Sequence, residues 1–154
     1  MSWKKWSRAL LAGGRRRAPS RQTEGGNKVE QHQEYVIQTD VAFGGLDVFD
    51  IHKLVEACPH PWFNQTLCQV NDAVVRLGIF EGTFHFHKHD LEDELFYVVA
   101  GHLRIDLEDR TVDLLPGQGM LVPHGVVHRP SAESRTVVLM VEAATVTAVG
   151  DEEH

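Results

Sequence analysis

Apolar and polar residues alternate in short runs along most of this chain, and turn residues divide the runs. From Thr66 onward the pattern is that of strands. The expected strands are Leu67–Val70, Ala73–Phe80, Thr83–His87, Leu95–Ala100, Leu103–Leu107, Thr111–Leu114, Gly119–Val122, Val126–His128 and Val137–Val141. Leu103, Ile105 and Leu107 alternate with Arg104 and Asp106, which predicts one buried and one wet face. Ahead of Thr66, residues 33–50 read as one short strand around Tyr35-Val36-Ile37 and Val41-Ala42-Phe43, closed by a Gly44-Gly45 turn. Asp50 then caps a brief helix through Cys58 with Ile51, Leu54 and Val55 as its apolar stripe, and Pro59 and Pro61 end it. Many short strands separated by turns make an all-β fold, an antiparallel barrel or sandwich.

One stretch, Gly82 to Gly101, carries chemistry as well as pattern. On a strand His85, His87 and His89 share a face, neighbours about 6.6 Å apart, while Phe84, Phe86 and Lys88 take the other. Imidazoles so placed converge on one metal ion. Glu94 opens the next apolar run, so its carboxylate returns to the same region. Downstream, Pro123 and Gly125 shape a turn and His128 follows three residues later. His87, His89, Glu94 and His128 are therefore candidate ligands. Burying these four groups without partners costs several kcal/mol, and one cation satisfies all of them. Three neutral nitrogens and a carboxylate suit one divalent ion per chain: Fe, Mn, Ni, Cu or Zn. His85 shares the face but fills no ligand position and is only a candidate for a place in the pocket or behind the ligands, whereas His102 and His124 are expected at the surface.

The spacing His87-x-His89, four residues, Glu94, six residues, Gly101 resembles the first motif of the cupin family. Gly117, five residues, Pro123-x-Gly125, two residues, His128 resembles the second. Gly82 stands one residue nearer the first histidine than is usual, and Ala132 replaces a frequent Asn. The run Glu92 to Val99, with Glu108 to Val112 and His128-Arg129-Pro130, is similar to small single-domain cupins called mannose-6-phosphate isomerase-like. The resemblance covers about residues 43–151. It implies a single cupin-type antiparallel β-barrel (double-stranded β-helix, or jelly roll), a metal on those four residues and a homodimer paired through sheet edges. The expected barrel spans 43–145, between a basic arm over 1–33 and an acidic tail over 146–154.

Two functions fit such a domain: a small metalloenzyme, an oxygenase or isomerase acting on a small polar molecule, or a non-catalytic cupin that binds a small ligand or senses metal. Phe96 and Val98 are expected to wall the pocket and Phe86 to face away. No Arg or Lys falls on the expected inner face to clamp a phosphate, which weakens the sugar-phosphate isomerase reading.

Charge changes the picture in one respect. The chain of 154 residues has a net charge of -7, but residues 1–23 hold seven basic residues and no acid, while the rest holds eight basic against twenty-two acidic. So acidic a body repels nucleic acid and anionic membrane, and neither is an expected partner. Trp3, Trp6 and Leu10 allow a short cationic helix in the arm, and the Arg-, Ser- and Gly-rich residues after it read as disorder. The arm is either an uncoupled extension of a cytoplasmic protein or a transit peptide to an organelle matrix. No apolar run approaches the ~20 residues that span a bilayer. Cys58 and Cys68 read as reduced thiols, and no phosphate-binding or dinucleotide motif points to a cofactor other than metal.

Overall fold

A computed structural model describes residues 34–151; the expected basic arm over 1–33 lies outside the described residues. Eight strands form: β1 (Val36–Gln38), β2 (Trp62–Val70), β3 (Ala73–Thr83), β4 (Glu94–Ala100), β5 (Leu103–Leu107), β6 (Thr111–Leu114), β7 (Gly119–Val122) and β8 (His128–Ala143). The helix α1 spans Ile51–Ala57, where the Asp50 carboxylate accepts from Lys53 N–H. The order is β1-β2-β3-β8-β4-β7, with β5 joining β8 and β6 joining β5. All pairings are antiparallel except β1 with β2. This is the sheet-rich β-barrel that the resemblance implied, and no helix among the described residues is long and apolar enough to cross a membrane.

β8 is the spine. Residues 128–131 pair with β5, residues 137–142 with β4, and β3 runs beside it from Ser131 to Ala143. The sequence broke this strand into two, because Ser131, Glu133, Ser134 and Arg135 interrupt the apolar pattern. Glu133 and Ser134 are exposed and Arg135 reaches across to the carbonyls of Val55, Cys58 and His60, so the polar residues decorate the strand without ending it. β2 likewise begins at Trp62, not Leu67: Asn64 and Thr66 are polar but lie buried on the inner face.

The expected strand Thr83–His87 does not form. β3 runs unbroken through Phe80, with a register shift before Gly82, and stops at Thr83. Beyond it the chain is loop, tied to β8 by Phe84 N–H donating to the Pro130 carbonyl at 3.0 Å and by an isolated bridge between His87 and His128. Phe84 therefore turns into the core instead of sharing a face with Phe86. Phe86 is exposed, with the Arg129 guanidinium 4.3 Å above its ring. In the core Trp62 stacks on Phe80 (4.3 Å between centroids, 17°) and on Phe84 (5.4 Å, 9°), while Tyr35 meets Phe84 edge-on. Each such pair adds about 1 kcal/mol to the apolar burial. The cluster supports the loop that carries the histidines.

On β3, Val74, Arg76, Gly78 and Phe80 alternate with Val75, Leu77 and Ile79, and both sets are largely buried. The inner set puts Arg76 inside the barrel, 2% exposed, correcting the expectation that no basic residue faces inward. β5 behaves as expected: Leu103 and Ile105 are buried, while Arg104 pairs outside with Asp113 at 3.1 Å.

Gly101 turns the chain from β4 into β5 with φ +90, and a Cβ there would stand 2.4 Å from Thr136 Oγ1. That hydroxyl accepts from His102 N–H at 3.0 Å, so it cannot move aside freely. Gly101→Ala should cost about 2 kcal/mol or more, through strain and the displaced hydroxyl, measured as a lower urea midpoint at unchanged slope.

Candidate metal centre

Four of the histidine- and acid-bearing positions singled out in the sequence come together. His87, His89, Glu94 and His128 each offer a ligand atom, and these atoms all lie within 4.8 Å of one another. They arrive from three directions. Glu94 is the first residue of β4, on the inner face beside Phe96 and Val98. His128 opens β8, its backbone exchanging two hydrogen bonds with His87 at 2.9 and 3.0 Å, which sets the two rings 4.3 Å apart. His89 is held by its carbonyl, which accepts from Gly125 N–H at 2.7 Å, so the turn before His128 grips the loop of His87 and His89.

Backbone carbonyls decide the tautomers. A carbonyl only accepts, so His87 Nδ1 donates to the His85 carbonyl at 3.1 Å and His128 Nδ1 donates to the Val126 carbonyl at 3.0 Å. Nε2 of each ring then faces the site, as a lone pair on a neutral ring and as a donor on a protonated one. Glu94 Oε2 stands 3.2 Å from His128 Nε2 and 3.4 Å from His89 Nε2. With all rings neutral, lone pairs and an anionic oxygen would face one another inside the barrel, which is stable only with a positive charge among them, a proton or a metal ion.

Ionisation follows. Burial and then repulsion from His128 lower His87 from 6.5 to about 4, keeping it neutral. Burial opposes ionisation of Glu94, but hydrogen bonds from His128 and His89 outweigh it and bring the carboxyl down to about 2. Burial would depress His89 as well; its hydrogen bond to Glu94 and the Glu94 charge overcome that and raise it. His89 Nδ1 is buried without a partner, so no carbonyl fixes this ring. Without an ion, a proton on His89 is the positive charge the carboxylate requires.

The donor set fits a divalent ion. Ligands on opposite sides of an ion with bonds of about 2.1 Å are about 4.2 Å apart, so atoms within 4.8 Å need only small adjustment. His89, Glu94 and His128 are buried and His87 partly so, as a chelating set must be.

The remaining expectations divide. Phe96 does wall the site, its ring edge-on to that of His128 with 6.0 Å between centroids. His102 and His124 lie at the surface, paired with Asp113 and Asp93 at 2.9 Å. His85 contributes its carbonyl to His87, while its ring is turned away to donate to the Val149 carbonyl at 2.7 Å. That contact shows what the sequence reading missed: residues 149–151 pack against the loop that carries the histidines. Asp151 N–H donates to the Lys88 carbonyl, its carboxylate accepts from Asp90 N–H at 2.7 Å, and Gly150 (φ +88) passes so close that a Cβ would lie 2.5 Å from His87 Cβ.

The family model for the cupin domain matches residues 74–143, a span that holds all four of these residues. An uncharacterised Bacillus subtilis protein, YdbB, is 44% identical over 80 residues, 51% of this chain and 71% of that protein. This chain belongs to the cupin family. Protein SchB of Streptomyces halstedii is 44% identical over 43 residues, 28% of this chain and 31% of that protein. Among solved structures, a cupin-2 domain containing protein from Shewanella frigidimarina superposes with TM-score 0.60 at 28% identity, covering 62% of this cupin and 94% of that chain. KdgF from Halomonas sp. superposes with TM-score 0.52 at 22% identity, over 58% of this cupin and 85% of that chain, a likeness of fold.

The low value of His87 has a sign that can be checked. In the ion-free protein the folded state refuses a proton that the unfolded chain accepts below 6.5. Stability contributed by neutral His87 is thus present above 6.5 and declines as pH falls toward about 4. Melting temperatures across that window should fall more steeply for the wild type than for His87→Gln, which cannot titrate.

Proposed function

We propose that this cupin binds one divalent metal ion through His87, His89, Glu94 and His128 and is a small metalloenzyme, an oxygenase or an isomerase, acting on a small polar molecule. The observation that carries this reading is the opposition of Glu94 Oε2 to the Nε2 atoms of His128 and His89 at 3.2 and 3.4 Å. An ion of the Fe, Mn, Ni, Cu or Zn type supplies Lewis acidity and leaves two positions open when six-coordinate. The protein's own residues do the rest. The carbonyls of His85 and Val126 hold two rings in the ligating tautomer, and Phe84 and Phe96 exclude water from one side. Glu94 stays ionised throughout the physiological range. The sugar-phosphate isomerase reading gains little support, because the buried Arg76 is engaged by Glu142 and so is no ready phosphate clamp.

His89→Ala should abolish most metal uptake and the metal-dependent rise in melting temperature, read on anaerobically purified protein by elemental analysis and calorimetry. His102→Ala and His124→Ala should keep about one ion per chain, and His85→Ala should retain binding because it preserves the carbonyl that orients His87. Full occupancy in the His89 variant would refute the assignment. An oxygen-consumption screen with small thiols, diketones and sugars separates the enzymatic reading from a metal-binding module without turnover.

The same reading includes a homodimer. β7 ends the sheet order, and Tyr97, Leu115 and Leu121 are 38, 53 and 53% exposed on or beside it, with Leu95 opposite Leu121 in register. An apolar sheet edge of this kind invites a second copy. Light scattering should give twice the chain mass, and Leu121→Lys should give the single-chain mass at micromolar concentration.

A further inference from the structure

Behind the candidate metal centre the barrel holds a second charged group. Arg76 Nη1 lies 2.7 Å from Glu142 Oε1, and their side chains are only 2 and 3% exposed. Ion pairs this deep are costly to bury, and an apolar pair of similar volume is often as stable. Position gives the pair a use. Glu142 stands directly opposite Glu94 in the β4–β8 register, both on the inner face. Two carboxylates are thus neighbours, and Arg76 is the cation beside them. Nor is its charge fully spent, because Nε and Nη2, which share one edge of the guanidinium, have no hydrogen-bond partner.

Among the described residues, the buried acids and bases other than histidine are Arg76, Glu94 and Glu142. Asp151 acts on His89 only from the rim, where its carboxylate caps the Asp90 amide. With the histidines neutral, two negative charges and one positive leave the interior at minus one, which a proton on His89 offsets in the ion-free protein; a divalent ion that displaces this proton turns minus one into plus one. In a poorly solvated interior an unbalanced charge is unfavourable, and one further negative charge on the incoming molecule removes it.

We propose that the Arg76–Glu142 pair sets the charge of the occupied centre so that its substrate is a small monoanion, carrying a carboxylate or a comparable anionic oxygen toward the ion. The inference rests on the four-ligand metal reading above. Arg76 and Glu142 act through the charge of the site; they are residues that determine specificity and position, not catalytic ones. Removing either charge therefore has opposite consequences for the cation and the anion. Glu142→Gln removes one negative charge from beside the ion, which weakens metal binding and strengthens anion binding. Glu142→Gln combined with Arg76→Met restores the original sum, and with it both affinities. Damage to the barrel, by contrast, weakens both affinities and weakens them most in the double variant.

The test uses the full chain with cobalt(II), at about pH 8, where carboxylates are ionised. Cobalt affinity is read by calorimetry, and ligand binding by the visible cobalt absorption, with glycolate as the anionic probe and glycolamide as its neutral counterpart. Glycolate should bind the wild type about tenfold tighter than glycolamide. Glu142→Gln should weaken cobalt and tighten glycolate, each by about tenfold, and the double variant should return both to near wild-type values. Arg76→Met alone should shift both the other way. It leaves Glu142 uncompensated beside Glu94, so the conclusion depends on the other two variants. Equal binding of glycolate and glycolamide, or movement of both affinities in one direction in Glu142→Gln, would overturn the charge assignment while leaving the metal site standing. A wild-type protein that takes up no cobalt would overturn the four-ligand reading and this one with it.

Discussion

The carboxylate of Glu94 lies buried among imidazole nitrogens whose protons have been drawn to the other side of their rings. The carbonyls of His85 and Val126 each accept an Nδ1 proton, so Nε2 of His87 and of His128 is left to face a carboxylate that has only lone pairs to offer. Such a set is built for a cation. In the ion-free state the raised affinity of His89 for a proton supplies one, and binding an ion must displace that proton. His89 suits the exchange, being the ring whose Nδ1 no carbonyl holds.

Three chain segments must meet for this arrangement to exist, and β8 brings them together. His128 stands at its first residue, against the loop that continues β3, and Glu142 lies fourteen positions on, against Glu94 at the start of β4. One strand therefore contributes a ligand at one end and the neighbour of a ligand at the other. Its backbone pairs with β3, β4 and β5, so distortion of the strand is felt at His128 and Glu142 alike. The aromatic cluster of Trp62, Phe80 and Phe84 backs the loop from inside, Phe84 meeting the His87 ring edge-on at 5.2 Å. Packing and coordination thus share a residue pair.

The barrel and the four candidate ligands were legible in the sequence because each left a local mark. Strand alternation at Leu103 to Leu107, the cap at Asp50 and the turn glycines are short-range signals, and the two histidine motifs have short spacings. The reason offered for the convergence of His87 and His89 was nevertheless incorrect in part. They lie in a loop whose direction is set by pairing with β8, a contact between His87 and His128 far apart in sequence that no local pattern records. Arg76 escaped for a different reason. Both faces of β3 are buried, so alternation could not say which one was the interior. The extent of β2 and β8 was hidden wherever polar residues occupied strand positions, inward at Asn64 and Thr66 and outward at Glu133 and Ser134.

The C-terminal residues show how composition alone misleads. Residues 146–154 read as an acidic tail, yet in the fold the backbone of residues 149–151 does the packing: Val149 offers a carbonyl to the His85 ring, Gly150 lies against His87, and Asp151 bonds at both ends to the Lys88–Asp90 segment. None of these contacts needs an apolar side chain, and one of them needs the absence of any side chain. His87 is thereby fixed from two sides, by the His85 carbonyl at its Nδ1 and by the glycine against its Cβ. A ligand held so closely has little freedom to adapt its ring to the ion. Adjustment is left to His89, whose ring nitrogen is unheld but whose backbone the Gly125 amide secures, and the centre combines two oriented donors with one that adapts.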